Sequence, residues 1–184
     1  MKKLVFIALL AFTGFSVKAQ DVKFPALDSS PADMVYYPLN ATKAKDNTAP
    51  LIKVVYSRPA KKGREIFGVL EQFGKVWRLG ANENTEIRFY KPVVIGGKKI
   101  KAGTYSLMAI PNKDKWTMIV NKQTDKWGAF SYDQSKDIVR TDVNVKSLEK
   151  PLELLSMTFS TQATGANLVI GWDFSTVELP ITIK

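Results

Sequence analysis

The chain contains no cysteine and no histidine. Without an imidazole there is no Ser-His or Cys-His nucleophilic pair, because both need a side chain that takes and returns a proton near neutral pH. Without thiol or imidazole, ordinary zinc, haem and iron–sulfur ligation is excluded. No disulfide can staple the fold, so stability must come from packing and sheet hydrogen bonds. The glycine-rich nucleotide signatures, Gly-x-Gly-x-x-Gly and the P-loop, are also missing. No cofactor is expected. What remains is carboxylate acid–base chemistry, lysine or tyrosine chemistry, calcium held by oxygen ligands, and binding without catalysis.

Long apolar runs are confined to the start of the chain. Lys2 and Lys3 precede an almost unbroken apolar stretch from Leu4 to Phe15, and Val17-Lys18-Ala19 follows. This is the pattern of a secretory signal cut between Ala19 and Gln20. The stretch is short for a bilayer span of about 20 residues, so no transmembrane span is expected after cleavage. The chain is read as exported, periplasmic or secreted, and export removes nucleic acid as a partner.

Acidic residues are the minority: 27 Lys and Arg stand against 17 Asp and Glu, for a net charge of +10. Losing Lys2, Lys3 and Lys18 with the signal leaves 24 basic residues against the same 17, or +7. Such a balance favours anionic surfaces such as lipopolysaccharide, phospholipid headgroups and acidic glycans, or is simply a soluble basic surface.

The 184 residues suit a single folded domain. Residues 1–19 form the signal, 20–50 an extended N-terminal arm, and 51–184 the folded part. In the arm, Pro25, Pro31, Pro38 and Pro50 rule out long helices and central strands. Met34 to Tyr37 are too apolar for a free tail, so the arm is expected to pack on the domain, with Thr42 to Ala49 a mobile loop. From Leu51 a two-residue rhythm takes over. Ile52, Val54 and Tyr56 alternate in a strand ended by Arg58-Pro59. Ile87 and Phe89 share a strand face. Val93–Ile95 and Lys98–Ile100 flank Gly96-Gly97, a tight hairpin signal. Thr104 to Ile110 and Trp116 to Val120 form a second hairpin. Leu155, Met157 and Phe159 alternate, as do Leu168, Ile170 and Trp172, and then Val177, Leu179, Ile181 and Ile183. Over residues 64–73, Ile66, Leu70 and Phe73 have helical spacing, which predicts one short helix weakened by Gly68. About ten short strands without long helices predict an all-β fold, an antiparallel β-sandwich or jelly-roll-like barrel.

Several motifs fall in a distinctive order: Tyr56-Ser57-Arg58-Pro59, Gly63-Arg64-Glu65-Ile66-Phe67-Gly68, Trp77-Arg78-Leu79-Gly80-Ala81-Asn82-Glu83, Ala102-Gly103-Thr104-Tyr105-Ser106-Leu107, Ile110-Pro111 and Trp127-Gly128. Leu27-Asp28, Ser30-Pro31 and Asp33-Met34 precede them. Together they resemble an exported bacterial family known as domain of unknown function 2911, over nearly all of the mature chain. The resemblance implies an exported β-rich domain. It implies no activity and assigns no functional residue.

The segment Trp77-Arg78-x-Gly80-Ala81-Asn82-Glu83-x-x-Glu86 concentrates an aromatic plane, a guanidinium, an amide and two carboxylates. Stacking surfaces beside bidentate polar groups suit a sugar or a carboxylate-bearing ligand. The structural alternative is a polar network, with Arg78 against Glu83 or Glu86 and Asn82 satisfying turn amides. Arg58, Lys61, Lys62 and Arg64 form a basic cluster that suits an anion or a solvated turn. Trp116 and Trp172 fall on core phases; Trp127, in a loop before Gly128, is the tryptophan placed to face a ligand, with core cover the leading expectation. Asp125, Asp133 and Asp137 do not match a calcium loop and fit turn and capping roles. The expected ligand-binding residues are thus Arg58, Arg64, Trp77, Arg78, Asn82, Glu83, Glu86 and Trp127. The leading expectation is a non-catalytic binding domain for a glycan or other polar, anionic small ligand. The alternatives are a structural or interaction protein of the cell envelope, and a carboxylate-dependent hydrolase using Glu83 and Glu86.

Overall fold

A computed structural model describes residues 21–43 and 49–184. The signal reading falls on residues outside the described ones, as does most of the Thr42 to Ala49 loop. No described helix is long and apolar enough to cross a membrane.

The alternating segments become ten strands: β1 (Ala32–Tyr37), β2 (Ile52–Ser57), β3 (Glu86–Phe89), β4 (Val93–Ile95), β5 (Lys98–Ile100), β6 (Gly103–Pro111), β7 (Lys115–Asn121), β8 (Asp137–Asn144), β9 (Lys146–Gln162) and β10 (Gly165–Ile183). They form a six-stranded sheet in the order β1-β2-β3-β6-β7-β8 and a four-stranded sheet in the order β5-β4-β10-β9. Every pairing is antiparallel. The two sheets remain separate rather than closing into a barrel, so the sandwich expectation holds. The inward phases are those the rhythm predicts. Ile52, Val54 and Tyr56 of β2, Ile87 and Phe89 of β3, Leu155, Met157 and Phe159 of β9, and Leu168, Ile170 and Trp172 of β10 are all buried in one core. Gly96 and Gly97 both take positive φ in the β4–β5 turn, as a two-residue hairpin requires.

Within the arm, Ala32–Tyr37 pairs with β2 as an edge strand, bracketed by Pro31 and Pro38. An edge position leaves one row of backbone groups unpaired, which is where flanking prolines are tolerated.

Two expectations are corrected. Residues 64–73 contain no helix. Gly68 sits at φ 93, a conformation open to glycine and closed to a helix. Its N–H donates to Glu71 O at 2.9 Å, and Glu71 N–H donates to Ile66 O at 2.8 Å. The segment is a tight reversal that buries Ile66 and leaves Leu70 and Phe73 exposed. The only helical turn among the described residues is a 3-10 turn at Gln134–Lys136. Its preceding residue Asp133 accepts from Ser135 N–H.

The second correction concerns the last two alternating runs, which form one strand. Buried side chains occupy even positions up to Trp172 and odd positions from Val177 onward. A regular strand cannot keep both sets on one face, so an irregularity must lie between them. The β9–β10 register shifts on either side of Asp173, and Asp173 takes φ 52.

One end of the core is closed by aromatic rings. Trp77 and Trp172 stack at 5.9 Å with an interplanar angle of 19°. Trp116 meets Trp77 edge-on at 5.7 Å. Phe67 contacts all three, closest to Trp116 at 4.8 Å. The segments that carry the polar residues of interest lie over this cluster.

Candidate functional site

The chain leaving β2 sets the site. Residues 58–61 cross from the six-stranded sheet to β9, where Leu155 N–H donates to Pro59 O at 3.0 Å and Lys61 N–H donates to Glu153 O at 2.7 Å. Arg58 is consumed by this crossing. Its Nε donates to Leu155 O at 3.0 Å, and its two terminal nitrogens donate to Asp33 Oδ2 at 2.9 Å and Ser156 Oγ at 2.8 Å. Arg58 therefore joins β1, β2 and β9, and it lines no part of the cleft beside it.

That cleft, about 400 Å³ in volume, lies between the 59–64 turn, the 70–71 reversal and residues 78–81. Lys62, Arg64, Glu71 and Arg78 line it, with Ser29 and Ser30 on one side and Trp172 beneath. Arg64 folds back on its own turn, donating from Nε to Lys61 O at 2.9 Å and from Nη2 to Ala60 O at 2.6 Å. Arg78 donates from Nε to Gly80 O at 3.2 Å. These backbone bonds orient both guanidinium groups while leaving other donors on each.

Glu71 is the residue that sequence reasoning missed. It is mostly buried, and burial pushes its carboxyl up to about 7 from an ordinary 4.5, against the pull of Arg78 and then Arg64. Among the described residues its side chain has no hydrogen bond and no ion pair. Near pH 7 this group therefore exchanges between a neutral form that donates and an anionic form that accepts.

The backbone around the cleft is strained. Five described non-glycine residues take positive φ: Lys62, Leu79, Asn82, Asp125 and Asp173. Lys62 lines the cleft, and Leu79 and Asn82 flank its Gly80-Ala81 wall. The left-handed region is unfavourable for a bulky residue such as Leu79, at φ 57. Surrounding bonds hold it there. Thr85 Oγ1 donates to Leu79 O at 2.7 Å, and Thr85 N–H donates to Arg78 O at 3.0 Å.

The other expected residues lie apart from the cleft. Trp77 is only 4 % exposed, its Nε1 donating to Gly80 O at 3.3 Å. Its ring packs within the aromatic cluster, so the stacking plane expected of it is not offered to solvent. Asn82 donates from Nδ2 to Asp28 Oδ1 at 3.1 Å, tying the arm to the cleft wall. Glu83 is exposed and bridges Trp127 through the backbone. Glu86 lines a shallow groove with Lys53 and Arg88 and accepts from Asp125 N–H at 2.9 Å. Trp127 is 63 % exposed, on a loop held by Gly128 N–H to Asn82 O at 3.0 Å and Asn84 N–H to Lys126 O at 2.9 Å. Thus Arg64 and Arg78 share one cleft, Asn82 abuts it, and Arg58, Trp77, Glu83, Glu86 and Trp127 do not line it.

Among the described residues, no group of three or more Asp and Glu is placed to hold a metal ion. Asp137, considered above for calcium, instead accepts from Arg140 Nε at 2.7 Å and from the Tyr132 hydroxyl at 2.6 Å.

Neither a curated protein nor a solved structure matches the chain. A profile of a family described as a protein of unknown function, DUF2911, matches residues 38–181. That span takes in the cleft's turn, reversal and guanidinium residues together with β2 to β9 and nearly all of β10, and the chain belongs to the DUF2911 family.

Proposed function

We propose that this is an exported, non-catalytic binding domain whose site is the cleft of Lys62, Arg64, Arg78 and Glu71, and that its ligand is a small acidic sugar or a similar polar carboxylate. The observation that carries this reading is the composition of one cleft: three cationic side chains around a mostly buried carboxyl held near neutrality. Guanidinium groups oriented by backbone carbonyls bind carboxylates in paired hydrogen bonds. A protonated Glu71 adds a donor where an ionised one would repel an anion. Strain at Lys62, Leu79 and Asn82 fits a wall held in place for a ligand.

Titrating the chain with galacturonate, glucuronate and simple dicarboxylates, followed by tryptophan fluorescence, tests the proposal. Saturable binding that weakens in Arg64→Ala supports it; a flat response to every acid refutes it. The pH dependence has a definite sign. A bound anion favours protonated Glu71, so affinity falls by about tenfold between about pH 6 and about pH 8. Glu71→Gln abolishes that dependence. Stability follows the same group. Its raised value favours the neutral form in the fold, so a penalty absent below its ordinary range grows as pH rises through about 7. Melting temperature should therefore drop more across that window in the wild type than in Glu71→Gln.

Catalysis by Glu83 and Glu86 draws no support from their surroundings, since Glu86 is bonded to a backbone N–H and Glu83 lies on an exposed loop. Envelope contact draws some from the exposed Leu70, Phe73, Trp127 and Phe130. Aromatic tips beside basic side chains suit an anionic lipid surface. Co-sedimentation with phosphatidylglycerol vesicles, lost in Phe130→Ser, is the test of that second reading.

A further inference from the structure

On the other side of the 60–64 turn is a second cleft, about 430 Å³ in volume, within the size range of small-molecule sites. Its lining includes Lys61, Asp173, Phe73, Phe174 and Asn112. Asp173 sits at the irregularity of β10 and is only 8 % exposed. Its Oδ1 is buried and lies 2.7 Å from Lys61 Nζ, with no other donor on that oxygen among the described residues. Lys61 Nζ also donates to Arg64 O at 2.8 Å, so the ammonium ties Asp173 to the turn. A buried carboxylate with a single charged partner, on a backbone at φ 52, is costly to keep. The register shift itself needs only the extra residue and not a carboxylate.

Two aromatic rings flank this pair. Phe174 is 48 % exposed and Phe73 is 43 % exposed. Lys61 Nζ lies 5.9 Å from the Phe174 ring centre. The Phe73 ring lies against Gly68, where an added Cβ would come within 2.9 Å of its Cε2. Both rings are therefore placed by neighbours yet keep an open face. The lining charges are balanced, with Lys61 and Lys113 against Glu65 and Asp173. The first cleft carries an excess of cations; this one does not.

We propose that the second cleft is a separate binding site for a neutral sugar ring, with Phe73 and Phe174 as stacking faces and the Asp173–Lys61 pair meeting adjacent hydroxyls. Exposed ring faces attract the apolar C–H face of a pyranose. A carboxylate beside an ammonium offers an acceptor and a donor to neighbouring hydroxyl groups. An acidic ligand is disfavoured by Asp173, and an apolar one would leave the ion pair unsatisfied. The site does not depend on anion binding in the first cleft.

The experiment uses the chain without residues 1–19 and neutral oligosaccharides of glucose, galactose and N-acetylglucosamine, read by saturation-transfer NMR with irradiation of aromatic protons. At least one oligosaccharide should receive saturation. Phe174→Ala and Asp173→Asn should each weaken its binding at least tenfold while leaving galacturonate binding unchanged. Asparagine tolerates the left-handed backbone at position 173, and Phe174 is half exposed, so both variants should fold; circular dichroism checks this. No transfer to any neutral sugar, or equal binding by both folded variants, overturns the proposal.

Discussion

Replacing Arg78 with alanine should lower affinity for an acidic ligand by about tenfold to a hundredfold, the loss of about 1.5–3 kcal/mol in charge-assisted hydrogen bonding. Its fold cost should be small, because among the described residues Arg78 makes a single side-chain bond, to the carbonyl of Gly80. Arg78→Lys should recover only part of the affinity. A lysine keeps the charge but lacks the planar fork that meets both carboxylate oxygens. Isothermal titration with galacturonate checks the three proteins side by side. An Arg78→Ala variant that binds as tightly as the wild type would show that the guanidinium is there for the loop and not for a ligand.

Trp77→Ala should act in the opposite way, destabilising the fold by about 3–5 kcal/mol. The ring is buried between Trp172 and Trp116 and against Phe67, and removing it opens a cavity that these rigid neighbours cannot fill. Denaturant unfolding gives the number directly. Trp77→Phe should cost less, since a smaller ring keeps part of the contact. If Trp77→Ala kept full stability and lost only ligand binding, the side chain would be a stacking platform, as its place beside Arg78 in the sequence suggests.

The contrast between Trp77 and Arg78 shows what is legible in the sequence. Strand phases were readable because each buried face repeats every second residue, so Ile52, Val54 and Tyr56 or Leu155, Met157 and Phe159 declare themselves locally. The side on which an isolated loop residue falls is not declared locally. Trp77 and Arg78 are neighbours, yet one bridges Ala109 across β6 and turns into the core while the other lines a cleft. The basic cluster divides in the same manner. Arg58 goes to Asp33 and β9, Lys61 goes to Asp173, and Lys62 and Arg64 go to the first cleft.

Glu71 was hidden for a related reason. Its burial depends on segments near residues 30, 60, 64 and 78 meeting around it, and the apparent helical spacing of Ile66, Leu70 and Phe73 predicts a short helix there. Gly68 was the available clue against that helix. Asp173 did leave a readable trace. The switch from even to odd apolar positions between Trp172 and Val177 requires an irregularity, and a small polar residue able to take positive φ stands within that gap.

The most direct measurement is the proton balance of binding, from calorimetric titration of galacturonate at about pH 7 in buffers of differing ionisation heat. If Arg64, Arg78 and Glu71 act as one anion site, complex formation takes up a fraction of a proton, approaching about one half, and Glu71→Gln takes up none. Binding with no proton uptake in the wild type, or no binding of the acid at all, would contradict it.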